Sequence, residues 1–326
     1  MSTDSLSIVV ISHLGGDLLA RCVESLRPQL REGDELEVLI SAEVGEASLQ
    51  GLDLEVVHLG RNVGFAKAAN VGFFRSIHPW ILLLNDDTLA EPGFLDALRE
   101  AAVEPGLYQP KILLADGSGR LDNIGHGLFP DGSNWARGRR APDSERYSQA
   151  QDIGACSGAA MLVSREVLST VGSFDGDLEA FGEDVDLSLR ARRAGFPIRS
   201  VPEARIQHHL GASYGRYAPK KLFLVERNRF RAAVRSLPAS ALMTMPLWTS
   251  LRLAGLSLAS VNNRGYASGV GKRAALATAG GLLAGIACLP DALRKRREDA
   301  QGWKVSEGQM WSILLRNRIR VGDVLR

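Results

Sequence analysis

Trp80-Ile81-Leu82-Leu83-Leu84 form an unbroken apolar run that stops against Asn85-Asp86-Asp87. A run this short and this apolar suits a strand buried on both faces, which requires helices or a second sheet above and below it. Its sudden end puts an amide and two carboxylates at the strand's carboxyl end, where open α/β sheets bind ligands. A second cluster, Phe181-Gly182-Glu183-Asp184-Val185-Asp186-Leu187, gathers three carboxylates at the apparent start of a helix. Carboxylates just beyond a buried strand can hold a hard divalent cation against phosphate oxygens. A carboxylate on another element can take a proton from an incoming hydroxyl. The pair of clusters therefore points to metal-assisted group transfer from a diphosphate donor.

The rest of the first half fits a sheet of that kind. Apolar runs at 6–11, 36–40 and 54–59 read as strands. Leu18, Leu19, Cys22, Val23 and Leu26 keep helical spacing, as do Phe65, Ala69 and Phe73 within 64–76. Residues 92–101 form a further helix with Pro92 at its first turn. Alternation of strand and helix predicts an α/β fold, a mostly parallel sheet flanked by helices on both faces. Residues 108–114 resume strand character, and 116–150 are rich in Gly, Asp, Ser, Arg and Pro, a long loop or hairpin region containing Trp135. A strand is expected at 159–163, helices at 165–171 and 183–194, and short edge strands at 199–202 and 204–208. From Tyr217 the pattern is helical and basic. The expected organisation is a catalytic domain over 1–215, with halves 1–115 and 116–215, followed by a basic helical C-terminal region over 216–326.

Composition narrows the partners. The 326 residues are 45% hydrophobic and 23% charged with a net charge of +2, so nothing global suggests nucleic-acid binding. Cations nevertheless crowd the last third, among them Lys220, Lys221, Arg227, Arg229, Arg231, Arg235, Lys272, Arg273 and Arg294 to Arg297. With Leu242, Met245, Trp248, Leu251, Leu253 and Leu256 they suit an anionic membrane surface; a helical subdomain packed on the core, or a homodimer contact, is the other reading. Cys22, Cys156 and Cys288 have no metal spacing and suit a reducing compartment. No signal peptide is expected from Met1-Ser2-Thr3-Asp4, and the uncharged stretch 274–289 is shorter than the ~20 residues of a spanning helix. A cytoplasmic protein, peripheral on the cytoplasmic face of the plasma membrane, is the expectation.

Ser7-Ile8-Val9-Val10, Arg61-Asn62-Val63-Gly64-Phe65-Ala66, Leu84-Asn85-Asp86-Asp87-Thr88, Ser157-Gly158-Ala159-Ala160, Gly172-Ser173-Phe174-Asp175, Gly182-Glu183-Asp184-Val185-Asp186 and His208-His209-Leu210-Gly211-Ala212-Ser213 occur in this order. This ordered set resembles the inverting glycosyltransferases of the GT-A fold, in the rhamnosyltransferase-like branch of family 2. The resemblance runs over residues 6–213, and the helical tail is similar to the family's as well.

The resemblance implies roles position by position. Asn85-Asp86-Asp87 stands where the family carries its DxD-type motif. Asp87 would bind Mn²⁺ or Mg²⁺ on the donor's diphosphate, Asn85 would replace the first Asp, and Asp86 would line the donor pocket. The same residues also suit a turn before the next helix. Asp184 matches the general base and Glu183 a neighbour that assists it; both also favour a helix N-terminus electrostatically. His208, with Ser213 in the same motif, matches a histidine that completes the metal site, against the plainer reading of a surface His pair. Ser12, His13, Arg61, Asn62, Gly64, Phe65 and Gly158 would frame the donor, although Arg61 to Gly64 also suit a simple turn and Gly158 simple strand packing. At the end of the second strand this chain departs from the family, with Ser41-Ala42-Glu43-Val44 where relatives usually carry an Asp followed by Asn, Gly or Ser. Glu43 would then accept from a pyrimidine N3–H or a ribose hydroxyl. Trp135 is the candidate acceptor platform.

The expected partners are a nucleoside-diphosphate sugar and a glycan or lipid-linked glycan acceptor of a cell-surface polysaccharide. dTDP-rhamnose is the first choice of donor, with UDP-galactofuranose and UDP-GlcNAc as alternatives. Two other classes stay open. A nucleotidyltransferase would want a basic phosphate loop, and Ser12 to Gly16 hold no Lys or Arg. A degenerate glycan-binding or scaffolding homologue is supported by the altered second-strand motif alone.

Overall fold

The computed structural model describes residues 5–13, 15–41, 56–209, 218–261 and 272–319. Strand β1 (Leu6–Ser12) is buried along its whole length, and its side chains alternate between two cores. Leu6, Ile8 and Val10 enter one core, while Val9 and Ile11 enter the other. The apolar run at 80–84 behaves the same way within β4 (Trp80–Asn85): Leu82 and Leu84 face one layer, Ile81 and Leu83 the other. Period-two alternation thus divides a continuously apolar strand between two helical layers. Helices α1 (Asp17–Leu26) and α3 (Phe94–Ala101) cover the first face. Helices α2 (Phe65–Arg75), α4 (Arg165–Val171) and α5 (Glu183–Arg193) cover the second.

The main sheet also contains β2 (Glu35–Ile40), β3 (Val56–His58), β5 (Thr88–Ala90), β6 (Leu107–Leu114), β7 (Leu121–Asn123), β10 (Ala160–Ser164) and β11 (Ile198–His208). Its order is β3-β2-β1-β4-β10-β6-β11-β5, with β7 attached to β6. Strands β1 to β4 pair in parallel, β10 runs antiparallel between β4 and β6, and β6 pairs in parallel with β11. Because β10 opposes both its neighbours, β1, β4, β6 and β11 all end at the same sheet edge. Ser12, Asn85, Leu114 and His208 therefore converge there, together with the start of β10.

Two local features, strand β11 and the start of helix α3, differ from the sequence reading. Residues 198–208 form one strand inside the sheet rather than two short edge strands; a register shift between Val201 and Arg205 absorbs Pro202. Proline removes a ladder donor, and a bulge lets the strand continue past it. The edge is β5, a three-residue strand directly after the acidic cluster. Helix α3 starts at Phe94 behind Gly93, whose φ of 82° is the left-handed turn into the helix, so Pro92 lies outside it. Within 116–150 the chain adds β7 to the sheet and folds β8 (His126–Leu128) and β9 (Asn134–Ala136) into a hairpin.

Helices α6 (Pro219–Ser236), α7 (Ala239–Val261), α8 (Lys272–Ala287), α9 (Leu289–Asp299) and α10 (Glu307–Arg316) follow. Helices α6, α7, α9 and α10 share a third core with the preceding region, in which Leu128, Ala155, Val185 and Leu189 meet Ala233, Leu237, Met245, Met310 and Leu314. Many cations of this region are paired internally. Arg231 lies 3.1 Å from Asp291, Arg235 pairs with Asp299 and lies 3.3 Å from Asp186, and Lys295 lies 2.7 Å from Asp175. Among the described residues no single helix is long and apolar enough to cross a membrane.

Candidate active site

Ser12, the last residue of β1, hydrogen-bonds through Oγ to Asp86 Oδ2 and accepts from Gly15 N at 2.9 Å. Ser41 N donates to Ser12 O at 2.9 Å, and Ser41 Oγ lies 3.3 Å from His13 Nδ1. Residues 12, 13, 41 and 86 thus form one polar floor at the ends of β1, β2 and β4. Burial pushes the Asp86 carboxyl up to about 6 against the pull of Ser12, with Asp87 adding repulsion. Glu43, Leu14 and Ser213 lie outside the described residues.

The second acidic cluster is presented by a strained loop. Glu179 and Phe181 have φ of 64° and 66°, unusual for residues with a Cβ, and Gly182 follows at 98°. Asn228 on α6 holds this loop, its Nδ2 donating to the carbonyls of Leu178, Ala180 and Phe181 at 2.8, 3.0 and 2.7 Å. The turn delivers Glu183 and Asp184 to the first turn of α5. Asp184 Oδ2 accepts from Gly158 N at 2.9 Å and Oδ1 from Val185 N at 2.8 Å, which fixes the carboxylate while leaving lone pairs open. One residue further, Ala159 O accepts from Asn85 N at 2.9 Å. The Gly158-Ala159 segment therefore bridges the two acidic clusters through main-chain hydrogen bonds. Its lack of a side chain matters: a Cβ on Gly158 would stand 3.3 Å from Phe65 Cε1 and 3.7 Å from Asp184 Cβ. Glu183 is buried, and burial with repulsion from Asp184 and Asp186 pushes its carboxyl up to about 8. The neighbouring carboxyls are thus an acid held neutral near pH 7 and an oriented acceptor.

His208 closes the site from β11. Its Nε2 lies 3.2 Å from Asp87 Oδ1 and its Nδ1 2.9 Å from Asp122 Oδ2. Burial opposes the charged imidazolium, but hydrogen bonds to Asp122 and Asp87 outweigh it and lift His208 to about 9. Asn85 Oδ1 is buried without a hydrogen-bond donor among the described residues, and Asp87 Oδ1 is buried with the His208 Nε2 contact as its polar neighbour. Two hard oxygens, with the His208 Nε2 that faces one of them, fit Mn²⁺ or Mg²⁺ once the imidazole gives up its proton. Among the described residues no group of three or more His, Cys, Asp or Glu side chains is arranged to hold a metal alone. A cation here would draw its other ligands from donor phosphates and water.

The remaining expected residues take varied positions. Asn62 Oδ1 accepts from Gly64 N at 3.0 Å, a side-chain turn leading into α2, and Arg61 is exposed. Phe65 packs 6.2 Å from Phe174, between Gly158 and the α5 loop. Trp135 pairs with Gly127 in the hairpin, so strand alternation sets it on the face opposite His126. Sequence reasoning missed Asp122, His126 and Arg139. Asp122 accepts from His208 and from Arg139 Nη1 at 3.2 Å, and the ring nitrogens of His126 are buried and unpartnered within the field of Asp184 and Asp122. Burial lowers the His126 pKa despite both carboxylates. None belongs to a spaced motif; they meet the site only because β7 and the hairpin fold over it.

The sequence profile described as glycosyltransferase-like family 2 matches residues 31–234. The N-acetylglucosaminyl-diphospho-decaprenol L-rhamnosyltransferase of Mycobacterium tuberculosis is 28% identical over 250 residues, 66% of this chain and 79% of that protein. The pre-mycofactocin glycosyltransferase of the same organism is 27% identical over 226 residues, 65% of this chain and 46% of that one. Among solved structures, GalNAc-T7 with UDP, GalNAc and Mn²⁺ superimposes with a TM-score of 0.59 at 15% identity, covering 74% of this chain and 49% of that one. Residues 1–349 of S. aureus TarS give 0.54 at 14% identity, over 95% and 90% of the two chains. The fold is that of these GT-A enzymes.

Proposed function

The chain belongs to glycosyltransferase family 2, and on that premise we propose that it is a metal-dependent, inverting enzyme. It transfers a sugar from a nucleoside diphosphate to a hydroxyl of a lipid-linked glycan acceptor. Rhamnose is the first choice of sugar, supported by the similarity to the mycobacterial rhamnosyltransferase. UDP-galactofuranose and UDP-GlcNAc are the alternative donors. The observation that carries the reading is the bridge from Asp184 through Gly158-Ala159 to Asn85, which holds a candidate base beside a candidate diphosphate site.

The acceptor oxygen attacks the anomeric carbon as the bond from that carbon to the phosphate oxygen breaks, so the configuration inverts. Asp184 takes the acceptor's proton, and the bonding pair leaves with the nucleoside diphosphate. Asp87, with Asn85 and His208, would hold the Mn²⁺ or Mg²⁺ whose contribution is Lewis-acid stabilisation of that leaving group. Ser12, His13, Asp86 and Gly158 line the donor side, and neutral Glu183 spares the pocket a second negative charge beside Asp184. Met243, Leu247 and Leu251 form one exposed stripe on α7, and Leu276, Leu283 and Ile286 are exposed on α8 near Lys272 and Arg273. These faces support a C-terminal region resting on an anionic membrane that carries the acceptor, on its cytoplasmic side.

The test is release of nucleoside diphosphate from a panel of dTDP- and UDP-sugars with Mn²⁺ or Mg²⁺, comparing wild type with Asp184→Asn. Metal-dependent turnover of one donor, lost in the variant, supports the reading and names the donor. Turnover unchanged in the variant removes Asp184 as the base. Neither binding nor turnover of any donor favours a degenerate homologue.

A further inference from the structure

Beside the metal-candidate residues, on the side away from Ser12, a cleft of about 760 Å³ opens between the β6–β7 turn, residues 139–142 and the end of β11. Its ionisable lining is Arg120, Arg139, Arg140, Asp116, His208 and His209. Asp116 is turned onto its own loop, accepting from Ser118 N at 2.9 Å. The three arginines are fixed differently. Arg139 is tied to Asp122, whose other oxygen meets His208, so the chain Arg139–Asp122–His208–Asp87 joins the cleft to the reaction centre. Arg120 Nη1 donates to Arg140 O at 2.8 Å, and Arg140 N donates to Leu121 O at 2.7 Å. These two bonds hold Arg140 at φ 60°, a left-handed conformation that is unfavourable for a residue with a Cβ. The guanidinium of Arg140 itself has no hydrogen bond or ion pair among the described residues.

A strained, exposed arginine held at the main chain and left open at its head is arranged for an external anion. Guanidinium groups bind phosphate oxygens in bidentate fashion. On the proposed reading the donor's diphosphate would sit against Asn85 and Asp87, with Ser12 on the strand-β1 side of the site. We propose that this cleft is the subsite for the diphosphate of the acceptor, the group that links the acceptor sugar to its lipid. The inference rests on the glycosyltransferase reading and deepens it. The buried His126 lies in the field of both Asp184 and Asp122, and Asp122 bonds Arg139, so the cleft adjoins the candidate base and an acceptor sugar presented to Asp184 would carry its own diphosphate toward residues 139–142. Recognition is of the diphosphate charge; the glycan is read elsewhere.

Binding to the full chain in EDTA tests this without any donor or turnover. The probes are geranyl diphosphate, inorganic pyrophosphate and uncharged geraniol, measured by calorimetry on wild type, Arg140→Gln, Arg120→Gln and Arg140→Lys. Geranyl diphosphate should bind, geraniol should not, Arg140→Gln and Arg120→Gln should each weaken binding about tenfold, and Arg140→Lys should recover part of the loss. Pyrophosphate weaker than geranyl diphosphate assigns the site to a lipid-linked diphosphate. Equal binding of the two overturns the lipid source. No binding of geranyl diphosphate, or binding unchanged in Arg140→Gln, overturns the subsite while leaving donor turnover untouched. Displacement of the probe by dTDP or UDP overturns it too, because the cleft would then belong to the donor.

Discussion

Asp184 Oδ2 accepts a hydrogen bond from Gly158 N at 2.9 Å, and the next peptide unit ties the same segment to Asn85. The candidate base and the candidate diphosphate site are therefore positioned by main chain, not by side chains free to rotate. Asp184→Asn keeps the shape and removes the basicity. We expect kcat to fall 10²–10⁴-fold, the usual contribution of a positioned base, while calorimetric affinity for the donor changes little. An equal loss of donor affinity would falsify the assignment of Asp184 to proton removal.

Gly158→Ala puts a methyl 3.3 Å from Phe65 Cε1 and 3.7 Å from Asp184 Cβ. Neither contact forbids folding, so the expected cost in stability is small, about 1 kcal/mol. The expected effect on kcat is larger, because shifts of a few tenths of an ångström move the carboxylate. Melting temperature and steady-state kinetics on one preparation separate the two effects.

Glu183 gives a pH signature. Its carboxyl is near 4.5 when exposed and about 8 in the folded protein, so folding favours its protonated form. The stability this contributes is fully present below pH 4.5, declines as pH rises toward 8 and is lost above it. Glu183→Gln, which mimics the protonated acid, should flatten the fall in melting temperature between pH 5 and 8 expected of wild type. An unchanged pH profile in the variant would remove Glu183 as its source.

Asp122 should matter to a metal it never touches. It orients His208 through Nδ1, leaving Nε2 toward Asp87, the arrangement by which carboxylates support histidine ligands. Asp122→Asn is expected to weaken Mn²⁺ binding by 10–100-fold, read from the electron paramagnetic resonance of free Mn²⁺. Because His208 holds its proton up to about 9, Mn²⁺ affinity in wild type should rise with pH from 6.5 toward 9.

Asn228 lies on α6, yet it clamps the left-handed turn that presents Asp184. Asn228→Ala removes a donor from three carbonyls of the turn, of which Leu178 O keeps Ala180 N and Arg227, and should cost about 1–3 kcal/mol in stability. It should also lower kcat, while Asn228→Asp, which cannot donate, should not restore it. Urea denaturation and donor turnover check both expectations.

Much of the first half was legible because its signals are local. An apolar run of strand length, a helical period, and carboxylates at the end of a strand are properties of adjacent residues, and β1, β4, α2, α4 and α5 lie close to where their patterns predict. Strand β11 was misread because Pro202 ends a ladder in isolation, whereas β6 on one side and β5 on the other carry the strand through a bulge. The basic last third shows the same limit. Its charge is plain in the sequence, but the Asp175, Asp177 and Asp186 carboxylates that neutralise Arg231, Arg235 and Lys295 come from a distant segment.

The two acidic clusters, the layered α/β sheet and the family are legible in the chain alone, because each is written in contiguous motifs whose order survives without coordinates. That Gly158 joins the clusters, that Asp122 and His126 lie beside the candidate site, and that Arg120, Arg139 and Arg140 face one cleft emerges from the folded packing. These depend on residues brought together by β7, the hairpin and α6 across long loops. Hydrogen bonds and ion pairs between such distant segments leave no periodicity in the chain, so packing alone reveals them.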